Sequence, residues 1–315
     1  MSSYVNTRLG LISRFRELKS LYSFRDIEGH VKDVLKQARD IEAKLEDLSG
    51  RSIKGSAILE IGAGQRLTQL IYFNTRARAI GIDTDIVPDI FRVSDYVRMW
   101  RVNGSLRTFK TVARKALSVD DRIHRELKRQ LGANIRSHPD VLQMDACSMS
   151  FPDNTFDFVY SRAVFEHILD PRAALREIRR VLKPGGVVVI FLHLYTSDTG
   201  CHDARIFAGR REQIPYWAHL RPKYRHLIRE NTELNRLRLP EWNDIFESEL
   251  PGVLVRGHND SDPLTRAALP AIRATGELSS YSDEELLSVT VESAWVKPSG
   301  PGSHNDLVES ASQKV

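Results

Sequence analysis

The chain has 315 residues, of which 41% are apolar, and a formal net charge of +5. That is enough apolar content for an α/β core carrying additions, and it excludes a chain too polar to fold. The longest apolar run, Val187-Val188-Val189-Ile190-Phe191-Leu192, is far too short to span a bilayer; the first residues lack a hydrophobic signal segment; and two cysteines, Cys147 and Cys201, make no disulfide framework, so a reduced cytoplasmic enzyme is expected.

In chain order, residues 1–52 come first. Val31, Val34, Leu35, Ala38, Ile41, Leu45 and Leu48 recur at helical spacing, and Gly50 supplies a stop. Strands are expected at 57–61, 79–83, 141–144, 156–160 and 187–193, with Val253 to Arg256 and Ser288 to Val296 as the last two. Asp170-Pro171 caps and opens a helix whose buried stripe is Ala174, Leu175, Ile178, Val181 and Leu182. Lys183-Pro184-Gly185-Gly186 ends it and turns the chain into strand five. Alternating strand and helix implies a parallel sheet with right-handed crossovers.

Two segments exceed a minimal α/β unit. Between strands two and three, residues 86–140 hold one helix through Leu106, Phe109, Val112, Ala113, Ala116 and Leu117. A second helix, capped by Ser118, carries Ile123, Leu127 and Leu131 and ends at Gly132. A structured excursion at the ligand end of a sheet is either a specificity element or decoration. Residues 194–250, after strand five, are polar, basic and weakly periodic and are expected on the acceptor side. Basic residues crowd 92–136 and 205–238, as solvated helix faces or as an attraction for an anionic acceptor. Residues 297–315 are expected to be a disordered tail.

The most informative stretch is Glu60-Ile61-Gly62-Ala63-Gly64. An apolar strand ends in a carboxylate and breaks into two glycines, which lets a ligand approach the backbone. The next strand ends in Asp83, where dinucleotide-type folds grip a ribose diol. A nicotinamide site wants a third glycine where this chain has Leu67, and Glu60 would repel a pyrophosphate. A cationic adenosine ligand without phosphates needs neither cradle nor third glycine.

Four ordered motifs resemble the class I S-adenosylmethionine-dependent methyltransferases of the type 11 group, over about residues 53–194. They are Glu60 to Gly64; Gly81-Ile82-Asp83; Gln143-Met144-Asp145-Ala146 with Phe151 to Asp157; and Phe165-Glu166-His167-Ile168 with Glu177 to Gly186. The family's loop usually has a further glycine where this chain has Arg66. The resemblance implies a Rossmann-like, seven-stranded, mostly parallel sheet with helices on both faces and the last two strands as a reversed hairpin. N-terminal helices come before that sheet, and a helical insertion lies between strands two and three. Residues 53–296 are then the methyltransferase domain and 1–52 a helical lid; a helix that simply packs on the sheet is the alternative. It also implies S-adenosyl-L-methionine as methyl donor. Gly62 and Gly64 would take the methionine part and Glu60 its ammonium. Asp83, next to Thr84, would hold the ribose, and Asp145 with the Ala146 amide would hold the adenine. Ser161 would line the methionine end.

Methyl transfer from a sulfonium is an in-line displacement, and a hydroxyl acceptor gains from a base. His167, after strand four, and His202 beside Asp203, after strand five, are the candidates, and His219 could approach them. The alternative for each histidine is a loop or packing residue. His193, Cys201, His202 and Asp203 carry metal-binding atoms at no recognised zinc spacing, so no metal is expected. The expected activity is O-methylation of a polar or anionic small molecule or glycan. The alternatives are an RNA-modifying methyltransferase and a non-catalytic S-adenosylmethionine-binding module. Ser161-Arg162-Ala163-Val164 stands where base N-methylating enzymes carry [DNS]-P-P-[YFW], which counts against the first alternative.

Overall fold

A computed structural model describes residues 26–86, 93–116, 118–132, 135, 139–207, 211–230 and 232–300. Seven strands form one sheet: β1 Ala57–Ile61, β2 Arg78–Asp83, β3 Val141–Gln143, β4 Phe156–Arg162, β5 Leu182–His193, β6 Leu254–His258 and β7 Thr290–Val296. Their order is β3-β2-β1-β4-β5-β7-β6. Only β7 runs antiparallel to its neighbours. The helices are α1 Ile27–Ser49, α2 Thr68–Asn74, α3 Val93–Asn103, α4 Ser105–Ala116, α5 Val119–Leu131, α6 Pro171–Val181, α7 Ala204–Phe207, α8 Leu239–Glu249, α9 Pro263–Arg273 and α10 Asp283–Leu287. This is the expected Rossmann-like arrangement. The strand order reverses between β1 and β4, so a crevice opens beyond their carboxyl ends.

Alternation along each strand builds two cores. Ile58 of β1 points to the face covered by α1, α2 and α5, with Leu35, Phe73, Leu127 and Val189. Leu59 and Ile61 point to the other face, packing with Leu175, Ile178, Trp242 and Phe246 of α6 and α8. Each fully buried aliphatic side chain contributes about 1.5–3 kcal/mol, so both faces are firmly covered. Helix α1 begins at Asp26, which accepts the Gly29 amide (2.7 Å), and ends at a left-handed Gly50. Val31, Leu35, Ala38, Ile41 and Leu45 of its stripe are buried in the core, with Leu48 packed against it and Val34 half-buried. Residues 1–25 of the expected 1–52 lid lie outside the described residues.

Several local readings change. Lys183–Gly186 is not a turn between elements. Leu182 already pairs with Phe156, residues 183–186 bulge, and pairing resumes at Phe158 and Val187. The last two strands do form the reversed, antiparallel pair at the sheet edge, with β7 between β5 and β6 and residues 259–289 connecting them. Ser118 has φ 50° and makes no capping bond, whereas Gly132 does cap α5. Helix α3 was not legible, because Val93, Val97 and Trp100 are exposed while Tyr96 and Met99 carry the contact. The region after β5 is also larger than 194–250. Trp217 and Leu220 share a separate core with Leu269, Leu278 and Leu286 from the β6–β7 connection. Helix α8 belongs instead to the sheet. Of the expected tail, residues 301–315 lie outside the described residues.

Candidate functional site

The glycine turn after β1 is shaped by what sits against it. Gly62 has φ 78°, and a Cβ there would lie 2.1 Å from a Val164 methyl carbon. Gly64 has φ 64° with open space where a Cβ would point. The Gly64 amide donates to Asp83 Oδ2 (2.8 Å), and Asp83 Oδ1 accepts the Asp85 amide (2.8 Å). Each carboxylate oxygen keeps a further lone pair for a ligand hydroxyl. Thr84 follows as an exposed residue whose carbonyl accepts from Gln143 Nε2 (3.3 Å). The Met144 amide donates to the Asp83 carbonyl (2.9 Å), which holds the end of β3, just before Asp145, against the end of β2. Asp145 Oδ1 accepts the Cys147 amide (2.8 Å), and Ala146 is buried between them.

Glu60 is only 6% exposed, opposite Tyr160 in the β1–β4 register. Burial pushes its carboxyl up to about 8; the Tyr160 hydroxyl pulls against that, and the Asp83 charge adds to it. Glu60 Oε2 has no hydrogen-bond partner among the described residues. Ser161 corrects its expectation. It lies inside β4, fully buried, and its hydroxyl donates to the Ile61 carbonyl (3.0 Å), so it ties β4 to the glycine turn. Arg66 reaches His30 on the first turn of α1 (3.4 Å). The insertion grips the same turn. Arg114 of α4 donates to the Gln65 carbonyl (3.3 Å), and Asn103 of α3 bonds both the amide and the carbonyl of Ile86 (3.0 Å each).

The second group lies beyond β4 and β5. His167 sits on a 3₁₀ turn, Phe165–His167, and Nδ1–H donates to the Glu233 carbonyl (2.9 Å). His202 Nε2 lies 2.9 Å from His193 Nδ1, and His193 Nε2 lies 2.7 Å from Thr199 Oγ1. The rings of His167 and His202 meet edge-on with centroids 5.1 Å apart. Burial pushes His202 down to about 3 and His193 to about 4, and lowers His167, so all three are neutral near pH 7. His202 takes a left-handed φ of 53°, a cost of about 1–3 kcal/mol for a non-glycine residue.

The structure thus brings together His167, which follows β4, and His202, which follows β5. It does not bring Asp203 to His202. Both Asp203 oxygens are taken by Arg205 (2.5 Å at the closest) and by the amides of Arg205 and Arg229 (3.0 and 2.8 Å). Adjacent residues in that bend face opposite ways. His219 donates to the Tyr195 carbonyl (2.9 Å) and packs on the Tyr195 ring instead of joining the cluster.

Glu166 was quoted only as part of a motif, with no role of its own. It is 2% exposed, and neither carboxylate oxygen has a hydrogen-bond partner among the described residues. Burial pushes its carboxyl up to about 8, although its own amide and that of His193 lie near enough to oppose this. A carboxylate directly before His167 was the available signal. Many of the arginines in the basic stretches are engaged within the fold: Arg107 with Asp85, Arg114 with Asp120, Arg221 with Glu277 and Arg238 with Glu285.

Residues 110–190 match the family model Methyltransf_11, a methyltransferase domain. The matched residues include Asp145 and His167 and begin after the glycine turn. Among curated proteins, an uncharacterized methyltransferase of Schizosaccharomyces pombe is 58% identical over 40 residues, 13% of this chain and 14% of its own length. Phosphoethanolamine N-methyltransferase 3 of Arabidopsis thaliana is 39% identical over 67 residues, 21% of this chain. The chain spans 14% of each of these two relatives. Among solved structures, phosphoethanolamine N-methyltransferase 2 of Haemonchus contortus, in complex with S-adenosyl-L-methionine, aligns with TM-score 0.42 and 18% identity over 81% of this chain and 51% of that one. No helix among the described residues is long and apolar enough to cross a membrane.

Proposed function

We propose that this protein binds S-adenosyl-L-methionine and transfers its methyl group to an oxygen of a polar or anionic small molecule or glycan. The observation that carries the reading is the convergence of Glu60, Asp83 and Asp145 at the carboxyl ends of neighbouring strands, beside two glycines that open the backbone. In this reading Asp83 accepts the ribose hydroxyls with Thr84 alongside. Asp145 and the Ala146 amide meet the adenine. Gly62 and Gly64 pass the methionine part, and Glu60 attracts its ammonium. Ser161 holds β4 against the turn. A cationic donor suits Asp83 and Asp145 and would draw the buried Glu60 carboxyl into its ionised form, where a pyrophosphate would be repelled.

The methyl then points toward His167 and His202. These neutral imidazoles stand ready for the acceptor's proton, and Asp203 fixes the loop that carries His202. Relatives named for phosphoethanolamine and for sterols favour a small-molecule acceptor. The internal pairing of the arginines weakens the case for RNA, because charges already neutralised release few counterions.

Calorimetry with S-adenosyl-L-methionine tests the reading. The wild type should bind, and Asp83→Ala should weaken binding by ~10-fold or more, as expected for a lost bond to a charged acceptor. Its unfolding curve should stay close to that of the wild type. Equal affinity in the two proteins would remove Asp83 from the site.

A further inference from the structure

We propose that Glu166, His167 and His202 form a binding site for a divalent transition-metal ion. One carboxylate oxygen and one nitrogen from each imidazole all lie within 4.8 Å of one another. An ion bonded at about 2.0–2.2 Å to each would need those atoms to close in by side-chain rotation alone.

Three features make this more than proximity. First, Glu166 is buried with two unpartnered oxygens, an arrangement that costs several kcal/mol unless a cation or a proton offsets it. Second, both imidazoles are held from behind. The Glu233 carbonyl takes the His167 Nδ1 proton, which leaves the Nε2 lone pair, itself 4.0 Å from Glu166 Oε1. When His193 Nε2–H donates to Thr199, His193 Nδ1 accepts from His202 Nε2–H, and His202 Nδ1 keeps its lone pair. Outer partners of this kind orient metal-binding histidines. Third, His202 is held in a left-handed backbone conformation, a strain that needs support from its surroundings.

Two neutral imidazoles and one carboxylate suit zinc, iron(II), manganese or cobalt better than magnesium or calcium. Three protein ligands leave a position open. The ion's task rests on the methyl-transfer reading, whereas its binding does not. An acceptor hydroxyl at the open position would lose its proton to solvent. Its oxygen would then take the methyl group, and the C–S electron pair would stay on sulfur. The lone pairs assigned above to the acceptor's proton would hold the ion instead.

The full chain, stripped with a chelator and dialysed, should be titrated with cobalt(II) and zinc(II) by calorimetry and visible absorption. One ion per chain is expected, with cobalt bands that zinc displaces. Glu166→Gln and His202→Gln should each weaken binding by about tenfold or more. The His202 variant, at a less buried position, keeps the test decisive if the Glu166 variant does not fold. S-adenosyl-L-methionine affinity is measured on the same samples. No ion uptake by a wild type that binds the nucleoside would overturn the metal site alone, as would uptake that neither variant alters. Failure to bind the nucleoside would instead overturn the methyl-transfer reading and leave the ion titration to be judged separately.

Discussion

The two halves of the crevice each hold a buried glutamate whose carboxyl is pushed up to about 8, yet they are built differently. Glu60 ends β1 and is fixed by strand pairing with β4. Its surroundings come from β2, β4 and the glycine turn, all secured by backbone bonds. Glu166 lies on a short 3₁₀ turn whose geometry is borrowed. Asn235 Nδ2 donates to the Phe165 and Ile168 carbonyls (2.8 and 2.9 Å), and the Asn235 amide donates to the Glu166 carbonyl (2.9 Å). The half proposed above for the methyl donor is thus built by the sheet, and the half proposed for the acceptor by a loop that returns to it. A loop can change without unpairing a strand, so the second half tolerates substitution that the first does not.

Four substitutions sharpen that contrast. The largest effect is expected for Glu60→Gln, seen in stability against pH. Below the ordinary glutamate range both folded and unfolded wild type are protonated, so the contribution is fully present there. It is lost as pH rises toward about 8, because the unfolded chain ionises first. Each pH unit in that window should cost the wild type about 1.4 kcal/mol relative to the variant. Denaturant titrations at several pH values measure this, and parallel curves would mean that Glu60 is solvated.

Next comes the pair Gly62→Ala and Gly64→Ala. Both carry positive φ, but only Gly62 faces Val164. We expect a loss of about 3 kcal/mol at Gly62, from backbone strain plus overpacking, and about 1 kcal/mol at Gly64. Equal losses in thermal melts would show that the turn is not pressed against the segment after β4. The smallest effect belongs to the acceptor half. Asn235→Ala should cost about 2 kcal/mol or less, the value of donors lost from two carbonyls. Hydrogen exchange should localise the change to residues 165–168. A change spread over the sheet would break the distinction between the two halves.

Most of the donor half was legible without coordinates. Glu60, Gly62, Gly64, Asp83 and Asp145 follow strand-like runs at short spacing, and a strand tip is a place that alternation and turn residues define. Ser161 was misplaced because β4 runs two residues past its apolar stretch. The acceptor half was read as residues without an arrangement. His167 and His202 were named, but Asp203 was given to the wrong partner and Glu166 was given no role. Nothing in the spacing of residues 166, 193, 202 and 235 foretells that they meet.

Local chemistry therefore determined the strands, the glycine turn and the run of carboxylates, since each depends on neighbours a few residues away. Only the folded chain decided which faces the helices cover, that β7 enters between β5 and β6, and that three imidazoles gather beside a buried glutamate. Those outcomes depend on contacts between segments far apart in the chain. Burial and long-range hydrogen bonds set those contacts, and they leave no periodic trace along the chain.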